Sequence, residues 1–142
     1  MRKFTWTAVY IVFTVLIFYN SSLPGAQSHQ TSWLLAELTE RLSAIFTGLP
    51  PVDVLEHVLR KLAHFFEYFV QTLLCCRMFA VNGYSRNASR GYILFLSLLT
   101  GVLDEYLQLT VPARNGAIGD ILLDFTGGLT AWATWEVLHW KR

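Results

Sequence analysis

Five carboxylates stand inside stretches of sequence that are otherwise apolar: Glu67, Asp104, Glu105, Asp120 and Asp124. Beside them, Arg60, His64, Glu67 and Gln71 are spaced by four, three and four residues, which makes one stripe on a helix. Lys61 and Tyr68 flank that stripe. Asp104 and Gln108 lie one helical turn apart, as do Asp120 and Asp124, and Gly127 and Gly128 follow. These residue types allow three kinds of chemistry. A histidine near carboxylates supplies a base with its orienter, with His64, Glu67, Asp104 and Glu105 as the acid–base candidates. Arg60, Lys61 and Arg114 can hold a phosphate through charge-assisted hydrogen bonds. A histidine with several carboxylates can also hold a divalent cation, although the spacing is diagnostic of no particular metal. No serine or cysteine nucleophile motif accompanies the cluster, which counts against an acyl-enzyme.

The cost of placing these charges in lipid forces them together. Five ionised side chains facing lipid at mid-bilayer would cost on the order of 12–17 kcal/mol, against a whole-protein stability of about 5–15 kcal/mol. They must face one another, sit near the interface, find cations or carry protons.

The chain is 142 residues, 54% hydrophobic and 15% charged, where soluble domains carry about 25% charge. One domain over 1–142 is expected. The formal charge of +1 leaves no basic field for nucleic acid. Cys75 and Cys76 are adjacent, a spacing that fits neither a zinc site nor a disulfide framework. The sequons at Asn20 and Asn87 mean nothing without a secretory context. Four apolar stretches, at about 4–23, 62–81, 91–111 and 117–140, are each close to the ~20 residues that cross a bilayer as a helix. The expected fold is therefore all-α: an integral membrane bundle of four transmembrane helices. The first stretch has a rival reading as a signal peptide, but Pro24 sits where a cleavage site needs a small side chain. Leu34, Leu38, Leu42, Ile45 and Leu49 recur at helical spacing between the first two spans. They predict an outer amphipathic helix, broken at Pro50-Pro51. A further helix from about Val52 leads into the second span.

Basic residues set the orientation. With Arg2 and Lys3 inside, four crossings place seven Lys and Arg residues on the inner side and four on the outer side: Arg41, Arg60, Lys61 and Arg114. Both termini are then cytoplasmic. At about 1.5 Å per residue, Glu67 falls roughly 8 Å below the outer end of its span, and Asp104 and Asp124 roughly 10 Å below theirs. Three helices thus bring carboxylates to one level, under the loop that carries Arg114.

The order of these residues resembles the VanZ-like family of small bacterial membrane proteins. The resemblance rests on Arg60-Lys61-x-x-His64-x-x-Glu67-Tyr68, Asp104-Glu105-x-x-Gln108, Pro112-x-Arg114 and Asp120-x-x-x-Asp124-x-x-Gly127, and covers about residues 56–135. Ala113 departs from the glycine expected between Pro112 and Arg114. The resemblance implies a four-helix membrane protein of the bacterial cytoplasmic membrane, with relatives associated with resistance to the lipoglycopeptide teicoplanin; it implies no known reaction.

The leading expectation is a pocket open to the outer leaflet that engages an anionic lipid or lipid-linked envelope precursor. Arg60, Lys61 and Arg114 would hold the phosphate, while Tyr68, Gln71, Gln108, Asp120 and Asp124 complete the ligand-binding set. The alternatives are an intramembrane hydrolase or transferase acting on a lipid head group, and a cation- or proton-coupled transporter. With four helices per chain, a transporter would work as a homo-oligomer.

Overall fold

A computed structural model describes residues 2–24, 33, 37, 41, 51–112, 114 and 116–139. Four long helices appear among them and no strand: α1 (Arg2–Ser22), α2 (Val52–Asn82), α3 (Arg86–Gln108) and α4 (Ile118–Leu138). The second is longer than the expected span. It starts just after Pro51, as proline is suited to open a helix, and runs unbroken for 31 residues. The apolar positions of the outer amphipathic helix, Leu34 to Leu49, lie outside the described residues, as do Ala113 and the last three positions. Trp33, Glu37 and Arg41 are helical, and Glu37 pairs with Arg41 one turn away.

The helices alternate in direction. At one end, Asn82 of α2 donates to the Thr7 hydroxyl of α1 at 3.3 Å, and Arg90 of α3 pairs with Glu136 of α4 at 2.8 Å. At the other end, Arg114 reaches the Asn20 carbonyl of α1, and Lys61 of α2 pairs with Asp120 of α4 at 2.9 Å. The turn from α2 to α3 follows from Gly83, whose φ of 88° only glycine adopts without strain. The Gly83 and Tyr84 amides then close on the Ala80 and Phe79 carbonyls. Ser85 next accepts from the Ala88 amide and starts α3.

The tightest packing joins α2 and α4. A Cβ on Gly127 would fall on the Phe65 carbonyl oxygen, and one on Gly128 would collide with the Ser97 hydroxyl and stand 2.9 Å from that of Thr72. These glycines let three backbones converge. The Thr72 hydroxyl donates to Ser97 at 3.1 Å beside them, and Gln71 donates to Thr100 at 3.0 Å and to Thr14 at 3.4 Å.

Polarity is arranged inside out. Among the described residues, ten polar or charged residues are buried against six apolar ones. Phe4, Val12, Phe66, Tyr92, Phe95 and Ile118 are among the large apolar side chains more than half exposed. Only α1, among the described helices, is both long enough and apolar enough overall to cross a membrane. The others carry more charged residues, buried and exposed alike, so a four-span bundle does not follow from composition.

Candidate functional site

The site forms where α2, α3 and α4 meet near the end that carries Asp120. Asp104 and Asp124 are wholly buried, and ligating atoms of His64, Asp104 and Asp124 all lie within 4.8 Å of one another. His64 Nδ1 stands 3.5 Å from Asp124 Oδ1. Glu67, one turn along α2, has His64, Asp104 and Asp124 as its charged neighbours. Tyr68 is wholly buried in the same place; its ring and the Asp124 Cβ both border Gly101 of α3, at 3.7 and 3.6 Å from the position a Cβ would take there.

Local sequence explains who faces inward. On α3 the buried positions are Ser89, Ile93, Ser97, Thr100 with Gly101, Asp104 with Glu105, and Gln108. That spacing of three and four is one face of a helix, lined almost wholly by polar and small residues. Gln108 donates to Asp104 Oδ2 at 3.0 Å and fixes that carboxylate. Glu105 serves a different purpose. Ala117 at the start of α4 has no capping side chain of its own, and Glu105 Oε2 accepts from the Ala117 amide at 2.8 Å. Gly116 fits beneath it, since a Cβ there would stand 2.9 Å from the Glu105 carbonyl. Glu105→Ala is therefore expected to destabilise the bundle by about 1–2 kcal/mol through loss of this cap. Glu105→Gln, which keeps an acceptor, should recover most of the melting temperature in a thermal scan.

Among the basic candidates, Lys61 is engaged with Asp120 at the rim. Arg60 is 3.9 Å from Glu56 and donates to His57 at 3.3 Å, both on its own helix. Arg114 is the guanidinium closest in function to the cluster: its charged neighbours are Asp104, Arg60, Glu105 and Glu67. Burial lowers its pKa from the ordinary guanidinium value, Arg60 acts in the same direction, and the carboxylates oppose both. Gln71 lies a turn deeper than Glu67 and ties α1, α2 and α3 together. The structure thus gathers His64, Glu67, Tyr68, Asp104 and Asp124 with Gln108 and Arg114 around them. It places Lys61, Asp120 and Arg60 on the rim and Gln71 and Glu105 in helix-joining contacts.

Sequence reasoning passed over α1. Ser21 sits beside the Asp104 carboxylate and Asn20 beside Glu67. Thr7, Thr14 and Ser21 recur every seven residues, with Tyr10 and Ile17 between them. That is the 3.5-residue spacing of a helix seam. Each of the three hydroxyls meets a polar partner in the bundle: Asn82, Gln71 and Asp104 respectively.

No curated protein and no solved structure gives a match to this chain. A family model does, over residues 6–139, and it spans all four helices and every residue of the site. His64, the buried carboxylates, Arg114 and the glycines behind them all fall within the matched stretch, and the chain belongs to the VanZ/LLP1 family.

Proposed function

We propose that the chain is a four-span membrane bundle with both termini cytoplasmic, whose polar site opens to the outer leaflet. There it engages the phosphate of an anionic lipid or lipid-linked envelope precursor and so limits the action of teicoplanin. The observation that carries this reading is the inverted polarity: buried Asp104, Asp124 and Gln71 against exposed Phe66, Tyr92 and Phe95. In water such a surface would be a large apolar patch. In lipid it is the expected arrangement, with polar groups used between helices and apolar ones turned outward. The described basic residues support the orientation, because Arg2, Lys3, Arg77, Arg86 and Arg90 all fall at the end away from the site.

Phosphate recognition is assigned to Arg114, supported by Arg60. Arg114 is half-buried beside the cluster and carries a charge that the carboxylates there do not neutralise by direct ion pairing among the described residues. Arg114→Gln is expected to weaken binding to vesicles of phosphatidylglycerol in phosphatidylcholine by about tenfold or more, the loss typical of a charged hydrogen bond. In a teicoplanin-sensitive Gram-positive host, wild type should protect at membrane levels where Asp104→Asn does not. Absence of protection by wild type would reject the antibiotic role and leave the lipid site to be judged by the vesicles.

The 3.5 Å approach of His64 to Asp124 favours a second reading, a hydrolase or transferase in which Asp124 orients a His64 base. Release of a head group from vesicles by wild type, lost in His64→Gln, would distinguish it from binding alone.

A further inference from the structure

The cluster has polar atoms that the described protein leaves without hydrogen bonds. Both oxygens of Asp124, Oδ1 of Asp104, Nδ1 of His64 and the hydroxyl of Tyr68 are buried and have none. Asp124, Asp104 and Tyr68 are each 0% exposed. Buried polar groups are nearly always paired, and a buried carboxylate with neither oxygen bonded needs a reason. Gln108 meets one oxygen of Asp104, Ser21 stands beside that carboxylate, and Lys61 is already bound to Asp120, so the shortage is greatest at Asp124. A single tyrosine hydroxyl can satisfy one more oxygen, so the shortage remains.

We propose that His64, Asp104 and Asp124 hold a divalent cation, zinc or manganese. The inference rests on the reading of this site as one that receives a lipid phosphate, and it explains how an acidic pocket could do so. The spacing fits a metal. With bonds of about 2.0–2.2 Å in tetrahedral geometry, neighbouring ligands stand roughly 3.3 Å apart. His64 Nδ1 and Asp124 Oδ1, 3.5 Å apart, match that separation, while the Asp104 oxygen, within 4.8 Å of the others, would draw in on binding. One imidazole nitrogen with two carboxylate oxygens suits zinc or manganese better than calcium or magnesium, which favour all-oxygen sets.

The ligands come from three helices, α2, α3 and α4, so the ion also fixes their relative positions. Gln108 holds one oxygen of Asp104 and so fixes that carboxylate, as a hydrogen-bond partner behind a metal ligand does. Tyr68, wholly buried in the same place, keeps its hydroxyl without a partner among the described residues. Three protein ligands leave a coordination position open for a phosphate oxygen, and Arg114 has Asp104 among its charged neighbours. Asp104, Asp124 and Glu67 would otherwise repel an anionic head group, and a dication reverses the local field.

The test uses the full-length chain in detergent without anionic lipid, stripped with a chelator and titrated with Mn²⁺ by electron paramagnetic resonance. Zn²⁺ is followed in parallel by competition with a chromophoric chelator. One equivalent of either ion is expected, weakened about tenfold or more in Asp124→Asn and in His64→Gln. Arg90→Lys, at the opposite end of the bundle, should bind as wild type does, and thermal melts establish that each variant is folded. Failure of folded wild type to bind either ion at one equivalent overturns the proposal, as does wild-type affinity in both site variants. A chain that binds the ion but ignores phosphatidylglycerol vesicles sinks the lipid reading alone. One that binds those vesicles and takes up no ion sinks the cation alone.

Discussion

Gly127→Val is expected to prevent the bundle from assembling. The added Cβ would land on the carbonyl oxygen of Phe65 and stand 3.1 Å from its carbonyl carbon. These are main-chain atoms within a helix and cannot rotate aside as a side chain would. Relief requires α2 and α4 to separate along their tightest contact. Overpacking against yielding side chains costs about 1–3 kcal/mol, and a rigid backbone obstacle places this substitution at or above the upper end. Because Phe65 follows His64 directly, the same displacement moves His64 away from Asp124. Size-exclusion chromatography and thermal unfolding in detergent would report the loss. Gly119→Val provides the comparison: a Cβ there meets nothing within 4 Å, and that variant should behave much as wild type does.

The second large effect has the opposite sign. In chelator-treated protein, Asp124→Asn is expected to melt above wild type while losing function. Asp124 is fully buried, and neither of its oxygens has a hydrogen bond among the described residues. A negative charge held there without a cation is a net cost, with His64 at 3.5 Å as its nearest compensation. The isosteric amide removes the charge and keeps the volume, and the gain is of the order of 1–3 kcal/mol. Such a gain at the expense of activity is characteristic of residues retained for function. A lower melting temperature for Asp124→Asn than for metal-free wild type would show that Asp124 serves the fold.

The convergence of His64, Glu67, Asp104 and Asp124 was legible because ionisable groups in apolar segments have few affordable positions. Helical spacing then assigns them to one face, and the alternation of short connections brings the faces to one level. Other features left weaker traces. Asp104 and Glu105 are neighbours about 100° apart on a helix, so sequence alone does not say which enters the cluster. The cap on Ala117 decides it, and that cap is a contact between residues twelve apart. Lys61 reads as a ligand for phosphate until Asp120 is found 2.9 Å away on another helix. The hydroxyls of α1 were overlooked because threonine and serine barely disturb the hydropathy of an apolar helix. Their seven-residue recurrence was the available signal. The helix expected from about Val52 joins the second span without a break, so α2 begins with about three turns rich in polar residues ahead of its apolar part.

The length of α2 has a consequence for where the protein works best. Its 31 residues extend about 46 Å, against about 31 Å for α1 and α4 with 21 residues each. The hydrocarbon layer is about 30 Å thick. In a bilayer the three shorter helices match that layer, while α2 must either lean over or stand some 15 Å proud of it. His64 and Glu67 lie on α2 and their partners lie on the matched helices, so any change in lean shifts one wall of the site against the others. Thicker or thinner lipid would thus shift His64 and Glu67 against Asp104 and Asp124, so acyl-chain length would bear directly on the geometry of the cluster.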